Sequence, residues 1–439
     1  MASCQESVDV MGVFEPLANA GNVIKRYTRR YYNESGTNVE NGRLIFEVPG
    51  QVDPVSFYDS SLAFTLQVVK KTDPTAAPIA DVGKLTALIN QPGLSLVKHV
   101  DAYANGRKVA SHQYHDYTAY LENKLNLGEE AKRSWLQAAG WHGDDAGKYD
   151  DITEAGNKAF GRRSAPYRAA KRVEMRGRPH TFPFQVAQLF PGEINWRFEL
   201  ELNDDAFMLL GAADADTRIK VTDPWLDVEC VRLSPDVQAR FVQGFRGGGP
   251  AVYPHSQVAL ETYSIGTGAT SQRVQHSLLK PQAPNTLLLM LVSEAAFMGD
   301  RTLNPFSFKH HGLAEMNLKI DGNPVHYGSA LKFDFSNGRY LDAYWGLCRV
   351  LSIVNRDEGM DISRTQYDND QVIVGVDLTR LINPCDLDAS HDLNIELTFK
   401  AATTETLRLM CYATYQQQAE IGYDQEFDQG AQLLVRMAV

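Results

Sequence analysis

Two histidine pairs are the first places in this sequence where side chains could bind a metal ion. His112 and His115 are followed by Asp116, but no further ligand set lies nearby at metal-site spacing. A histidine pair at a surface or interface is therefore favoured. His310 and His311 are adjacent and would point to opposite faces of a strand. We expect no metal centre and no cofactor.

An acidic loop, GDDAGKYDD, could suit calcium. It contains Asp144, Asp145, Asp150 and Asp151 but lacks the glycine and terminal glutamate positions of a helix-loop-helix calcium site. A solvated turn is the favoured interpretation. The chain also lacks a G-x-S-x-G elbow, a phosphate-binding GxxxxGK(S/T) loop and a dinucleotide fingerprint. We therefore expect neither hydrolase nor nucleotide chemistry, and no enzyme activity.

Two basic clusters are candidate contacts with nucleic acid or with another subunit. The first is the run KRYTRRYY, which we interpret as part of an N-terminal arm ahead of the first strand; its basic residues are Lys25, Arg26, Arg29 and Arg30. The second spans residues 162–178 around the single acid Glu174. Its candidate contact residues are Arg162, Arg163, Arg168, Lys171 and Arg172. For this second cluster an inter-subunit salt-bridge surface is favoured over nucleic-acid contact.

Length and composition limit the class of protein. A chain of 439 residues exceeds the usual size of one hydrophobic core, so two domains are expected. The net charge of -11 argues against a surface built mainly to coat nucleic acid. No apolar run is long enough for a transmembrane segment, and the N-terminus lacks a secretory pattern, so we expect synthesis in the cytoplasm. The five scattered cysteines predict reduced, mostly buried thiols.

Short strand-like runs dominate the chain. Segments rich in Val, Ile, Phe, Tyr and Leu alternate with Gly, Pro, Asn and Asp. In NWRFELEL the large apolar residues alternate with Arg197, Glu199 and Glu201, a period of two that is typical of a half-buried antiparallel strand. Helices are predicted only in connections, in a segment after residue 115 with a break at Gly128, and after Ser234, where Pro235 opens a helix.

Features of the first half recur in the second half in the same order. HVDAYANGRKV at His99–Val109 pairs with MNLKIDGNPV at Met316–Val325. YLENKLNL from Tyr120 pairs with YLDAYWGL from Tyr340, and RFELEL pairs with NIELTF. This order indicates a duplicated domain. Many short strands and few helices favour an all-β fold of two tandem jelly-roll β-sandwiches, a double jelly roll. We expect an N-terminal arm at 1–42, jelly rolls at 43–243 and 251–439, and a linker at 244–250.

Three blocks of the first half carry a family resemblance: VDPVSFYDSSLAFTLQV, YTAYLENKLNLGEEAKRSWLQAAGW and RPHTFPFQVAQLFPGEINWRFELELNDDAFMLL. They resemble the double jelly-roll major capsid proteins of Maverick or Polinton elements and adintoviruses. The resemblance implies a structural protein of an icosahedral virus shell, without catalytic residues, whose trimers form pseudo-hexagonal capsomers. It also implies a virion location, partners among neighbouring capsomers and minor or penton capsid proteins, and weak genome contact through the arm. The long connections at 113–178 and 325–370 are its candidate neighbour contacts.

Two other functions stay open at this point. A minor or vertex capsid protein of the same lineage is disfavoured by the duplication, since such proteins are typically single jelly rolls. A carbohydrate-binding or cupin-like β-sandwich protein would use the same fold class for a different purpose. A cupin would need clustered His and Glu ligands on adjacent strands, and the predicted strands do not carry them.

Overall fold

The structure of the chain is a computed structural model. It describes residues 22–34, 36, 39, 42–71, 86–168, 171–247, 250–276, 283–325, 330–357, 359–380, 391–423 and 433–438. Cys4, Cys385, residues 1–21 of the expected arm and part of the expected linker lie outside these residues. Of the described cysteines, Cys230 and Cys411 are buried free thiols and Cys348 is a half-buried one.

The first half of the chain forms two four-stranded antiparallel sheets and a two-stranded ribbon. Its strands are β1 (Val23–Tyr32), β2 (Arg43–Val48), β3 (Val55–Lys70), β4 (Thr86–Leu88), β5 (Val97–Ala104), β6 (Arg107–Gln113), β7 (Val173–Gly177), β8 (Trp196–Leu202), β9 (Leu209–Gly211) and β10 (Thr217–Leu233). One sheet has the order β1-β10-β3-β7 and the other β2-β8-β5-β6. The ribbon pairs β4 with β9.

The second half repeats the arrangement of the two main sheets. Its strands are β11 (Ala251–Ile265), β12 (Ser271–His276), β13 (Thr286–Ser293), β14 (Leu313–Ile320), β15 (Asn323–Pro324), β16 (Leu331–Lys332), β17 (Ile373–Asp377), β18 (Leu393–Phe399), β19 (Leu407–Tyr423) and β20 (Leu433–Ala438). The two sheets have the orders β11-β19-β13-β17 and β12-β18-β14-β15, with β20 added beside β19 and β16 beside β14.

Helices lie in the connections, as predicted. They are α1 (Pro92–Ser95), α2 (His115–Asn126), α3 (Glu129–Arg133), α4 (Lys158–Arg168), α5 (Asp205–Met208), α6 (Pro235–Gly247), α7 (Glu294–Met298), α8 (Leu341–Val350) and α9 (Arg364–Asn369), with 3-10 turns at Trp135–Ala139, Phe335–Asn337 and Leu378–Arg380. Gly128 separates α2 from α3, and Pro235 opens α6, which runs into the expected linker.

The equal strand orders confirm two tandem jelly rolls. The hairpins that the sequence paired are equivalent, since β5-β6 and β14-β15 both turn through two residues. Asn105 and Gly106 have φ values of 48° and 78°, and Asp321 and Gly322 have 50° and 81°. Asn-Gly and Asp-Gly are the sequences that such positive-φ hairpin turns prefer. A short local signal therefore fixes the same turn in both domains.

Alternating sequences place one face of each inner strand in the core. In β8, Trp196, Phe198 and Leu200 are buried while the charged residues between them face outward. The equivalent β18 buries Leu393 and Ile395 with the same alternation. The buried apolar side chains of both domains belong to one continuous cluster. The two jelly rolls are thus fused through a shared hydrophobic core.

The expected N-terminal arm is wrong over residues 23–32. This segment is β1, the edge strand of the first sheet, and pairs antiparallel with β10 from Val23 opposite Leu233 to Tyr32 opposite Trp225. The physical reason is that backbone pairing at an edge needs no buried face, so a polar strand can form there. The first jelly roll therefore begins before residue 43.

Candidate assembly surfaces and the domain junction

Two of the four basic side chains of β1 are paired with carboxylates of the same chain. Arg30 Nε lies 2.8 Å from Asp227 Oδ1, and its guanidinium lies over the Trp225 ring at 4.5 Å. Arg26 Nη1 lies 3.2 Å from Asp59 Oδ2. These pairs place the two arginines on the outer part of a folded sheet and neutralise their charge locally.

The other two basic residues of this strand lie around one tyrosine. Lys25 Nζ is 5.6 Å from the Tyr27 ring centroid, and the Arg29 guanidinium is at the same distance. Arg29 also donates a hydrogen bond to the side-chain oxygen of Gln51. Both basic residues are exposed. They remain candidate contact residues, positioned by a strand and not by a flexible arm.

Arg163, in the second basic cluster, is buried and holds the first domain together. Its Nη2 donates to Asp144 Oδ1 at 2.6 Å, its Nε to the Leu88 carbonyl oxygen at 2.9 Å and its Nη1 to the His142 carbonyl oxygen at 2.7 Å. Its side chain is only 2% exposed, so it cannot reach a subunit or nucleic acid. The prediction of an intermolecular contact is wrong for this residue.

The remaining residues of the second cluster lie at the surface. Arg168 Nη1 forms an exposed ion pair with Glu154 Oε2 at 3.0 Å. Arg162, Lys171 and Arg172 are exposed. Helix α4 carries Arg162 and Arg168 on its outer side, while Arg163 points inward. The segment thus combines one structural arginine with exposed ones, which a count of charges does not reveal.

Helix α2 lies between the two jelly rolls. Its contact with the second jelly roll is formed by stacked aromatic side chains. Tyr120 stacks on Phe306 with ring centroids 4.1 Å apart and an angle of 2° between the rings. Tyr117 stacks on Phe297 at 5.7 Å and also lies beside Phe306 and Phe308. The three phenylalanines belong to the connection between β13 and β14. This connection covers α2 on the side of the second domain.

Two buried lysines cross the junction beside this aromatic cluster. Lys124 Nζ and Lys132 Nζ lie 3.4 Å and 3.7 Å from the same oxygen of Asp361 in the second domain. Lys132 also donates to the Lys124 carbonyl oxygen at 2.8 Å. Burial lowers the pKa of Lys132 to about 7, although Asp361 acts to raise it. One carboxylate therefore serves two ammonium groups in a poorly solvated site.

The acidic loop contributes to the junction, and the expectation of a solvated turn is wrong for Asp144 and Asp150, whereas Asp145 is exposed. Asp150 Oδ1 accepts a hydrogen bond from the backbone N–H of Asn304 at 2.7 Å, and its other oxygen binds Lys309. Asp144 is buried and accepts from the Asn304 side chain at 3.3 Å. The carboxylates are thus occupied by donors of the protein, which explains why aspartates suit this loop.

Three histidines and a glutamate form a buried polar cluster at the start of α2. His115 accepts the backbone N–H of His180 at Nε2 (2.9 Å), so its Nδ1 carries the proton and donates to the Val97 carbonyl oxygen (3.2 Å). The His180 Nδ1 lies 2.5 Å from Glu122 Oε2. Burial lowers the pKa of His112 to about 4 and holds that of His115 well below its usual value.

These groups do not assemble into a metal site. Among the described residues, no group of three or more His, Cys, Asp or Glu side chains is placed to hold a metal ion. His310 stacks on Phe335 at 4.3 Å, whereas His311 pairs with Glu405 at 3.3 Å. Each histidine of that adjacent pair therefore has its own structural partner. Within the described part of the chain, no helix is long and apolar enough to cross a membrane.

Exposed aromatic and aliphatic side chains on the long connections are features that sequence reasoning missed. Leu341 and Trp345 on α8 are 48% and 56% exposed, and Trp135 on the first domain is 60% exposed. The two α8 residues lie four positions apart and therefore share one helix face. The sequence shows that this segment is rich in large apolar residues, but only the structure shows which helix face has no neighbour. Such side chains are typical of protein interfaces.

Comparisons with known proteins establish the fold. No family model matches the chain. An uncharacterized protein of Caenorhabditis elegans is 24% identical over 282 residues, and the match spans 62% of this chain and 64% of the worm protein. In the structure of the Sputnik virophage, one chain superposes with a TM-score of 0.67 at 12% identity, covering 99% of this chain and 93% of that one. The major capsid protein of mavirus superposes with a TM-score of 0.58 at 11% identity, covering 96% and 93%. The resemblance drawn from the three sequence blocks is therefore confirmed at the level of the fold, and this chain is a double jelly roll built like those of virophage and mavirus.

Proposed function

We propose that the chain is the major capsid protein of an icosahedral virus shell, with a structural and not an enzymatic role. The observation that carries this proposal is the pair of jelly rolls with equal strand orders, fused through one core and matching a virophage chain over nearly the full length of both. A single jelly roll would suit a vertex protein, whereas a fused pair suits the major capsid protein that forms the faces of the shell.

The assembled unit in this proposal is a trimer. Three copies would bring six similar jelly rolls into a ring, so that a three-fold unit has an almost hexagonal outline. Its partners are further copies of itself, neighbouring capsomers and minor or penton capsid proteins, and its location is the virion capsid after synthesis in the host cytoplasm. The division into jelly rolls at residues 244–250 is part of the same proposal.

The exposed basic residues are assigned within it as secondary contacts. Lys25 and Arg29 on β1, together with Arg162, Lys171 and Arg172, are positioned for neighbouring subunits or for weak contact with the genome. Internal pairing of Arg26, Arg30 and Arg168 reduces the charge that they offer to a polyanion. The net charge of -11 for the chain supports the same weighting toward protein contacts.

Sedimentation velocity and electron microscopy of the purified chain test the proposal. At micromolar concentration we expect a species of three times the 48.9 kDa chain mass and, in negative stain, particles with a hexagonal outline or closed shells. A monomer at all concentrations, without ring-shaped particles, would contradict it. Shells built with the chain only at their vertices would favour the alternative of a vertex protein.

A further inference from the structure

Helix α8 packs on the second jelly roll with its inner side and exposes apolar residues on its outer side. Ala343 and Leu347 on its inner side are buried, and Leu347 lies so close to Gly375 of β17 that a side-chain carbon there would meet it at 3.2 Å. Leu341 and Trp345 on the other side are about half exposed. A helix held this firmly presents its apolar residues in a fixed position, which lowers the entropic cost of binding.

Helix α2 shows what covers such a helix in this molecule. It follows the β5-β6 hairpin of the first jelly roll, as α8 follows the β14-β15 hairpin of the second. Ten of its twelve residues are buried. Its tyrosines Tyr117 and Tyr120 pack on the connection between β13 and β14 of the neighbouring jelly roll. The helix after this hairpin is thus covered by the connection that joins two particular strands of the next jelly roll.

Repeating that contact around α8 requires a first jelly roll on its open side. The chain has only one first jelly roll, and α2 already joins it to the second. The missing neighbour must therefore belong to a second copy. A contact from the second jelly roll of one copy to the first of the next is heterologous, and three such contacts related by a three-fold rotation would close into the ring of the proposed trimer.

The equivalent connection in the first jelly roll carries an exposed tryptophan beside it. Between β3 and β5 this connection contains α1, and the 3-10 turn with Trp135 packs directly on α1, since a side-chain carbon on Gly93 would lie 3.0 Å from Ala139. Trp135 is 60% exposed. An aromatic side chain thus stands where the symmetry of the fold expects a partner for α8.

We propose that the α8 face formed by Leu341 and Trp345 docks on the surface around Trp135 of a second copy of this chain. This inference rests on the proposed function for the number of copies in the ring. The contact has an apolar centre, and the exposed Asp342 and Arg349 flank it with charge, which matches the core-and-rim anatomy of protein interfaces. Tryptophans at such centres contribute a large share of binding energy.

Sedimentation velocity over a range of concentrations tests the docking with the variants Trp345→Ala, Trp135→Ala and their combination. Each single variant should weaken association by about 30-fold or more, because removal of a hot-spot side chain has effects of that size. The double variant should weaken association by less than the product of the two single fold-changes, since both substitutions break the same contact. Near-UV circular dichroism of each variant monitors the fold.

The control is Tyr32→Ala, which removes another exposed aromatic residue, 68% exposed on β1. It should leave association unchanged. A trimer that persists undiminished in Trp345→Ala would overturn the docking while leaving the capsid proposal intact. A wild-type chain that never associates would instead overturn the capsid proposal. Equal weakening by Tyr32→Ala, or independent effects of the two tryptophans, would also contradict the contact.

Discussion

The two jelly rolls have equivalent strands, but the connections that follow the hairpins β5-β6 and β14-β15 differ. In the first domain this connection folds into α2, which has ten of its twelve residues buried and carries Tyr117, Tyr120 and Lys124 into the junction. In the second domain it folds into α8, which is amphipathic and keeps one apolar face exposed. The strands, which form the framework, are thus the repeated part of the molecule. The connections after the two hairpins, here called the first and second insertions, are where the two domains differ.

This difference shows that burial of a helix follows from its place in the assembly as much as from its composition. Both helices begin with an acidic residue in the first turn and contain several aromatic or aliphatic residues. Only α2 has a jelly roll on its outer side within one chain. A helix that is apolar on most faces is stable when each face is covered. The contrast between α2 and α8 therefore provides the measurements that follow.

The largest expected effect is the loss of the α2 aromatic contact. Tyr120→Ala removes a fully buried ring that stacks on Phe306, and we expect the free energy of unfolding to fall by about 4 kcal/mol. Tyr344→Ala on α8 removes a half-buried ring beside Tyr367, so the expected loss is about 2 kcal/mol. Urea denaturation at equal protein concentration measures both. Equal losses would show that α8 is as enclosed as α2 and would break the comparison.

The next largest loss of stability is expected from substitution of Arg163, the buried arginine of the first insertion. Arg163→Ala leaves Asp144 without its charged partner in a buried site, and we expect a loss of about 3 kcal/mol in the free energy of unfolding. Arg168→Ala is the matched control on the same helix, because its pair with Glu154 is exposed and should change stability by less than about 0.5 kcal/mol. The two denaturation curves separate an enclosed salt bridge from a surface one. Similar midpoints would mean that water reaches Asp144.

The buried polar cluster at the start of α2 should make stability depend on pH. His112 has a pKa of about 4 in the folded chain, because of its burial, and about 6.5 when unfolded. Between these values the unfolded chain binds the extra proton, so the free energy of unfolding falls as the pH is lowered from 6.5 to 4. The shift corresponds to on the order of 3 kcal/mol. Titratable neighbours that act on His112 are Glu122, His180 and His99.

A nearby carboxyl group acts in the opposite direction and serves as the counterpart. Burial raises the pKa of Asp116 to about 7, so the folded chain binds the extra proton as the pH falls from 7 toward 4, and this group adds stability there. Denaturation between pH 7 and pH 4 should therefore give a shallower decline for His112→Gln than for the wild type. The decline for Asp116→Asn should be steeper. Parallel curves for all three chains would show that these side chains are hydrated.

Much of the repeated framework could be predicted from the sequence. The alternation in WRFELEL, the Asn-Gly and Asp-Gly turns and the break at Gly128 each depend on a few adjacent residues, and the structure has the expected element at each. These signals are local, so a single sequence contains them. The paired order of such signals was enough to identify a duplicated jelly roll.

The junction could not be predicted in the same way. Burial of Arg163 depends on acceptors supplied by Leu88, His142 and Asp144, which only the fold brings together. Strand β1 carries no apolar stripe, because it lies at a sheet edge with most side chains exposed, and its sequence therefore looked like a charged arm. Exposed apolar residues on α8 likewise need the structure, since the sequence does not show which helix face has a neighbour.

The smallest expected effect concerns the hairpin turns, in which the two domains are alike. Gly106→Ala and Gly322→Ala place a side chain at φ values of 78° and 81° in equivalent hairpin turns. Neither new carbon would meet another atom within 4 Å, so backbone strain is the only expected cost. That strain should lower the free energy of unfolding by about 1 kcal/mol at each site. Urea denaturation of the two variants should therefore give equal shifts. A much larger loss at one turn would mean that its hairpin carries contacts that the other lacks, and that the divergence between the domains extends into the strand framework.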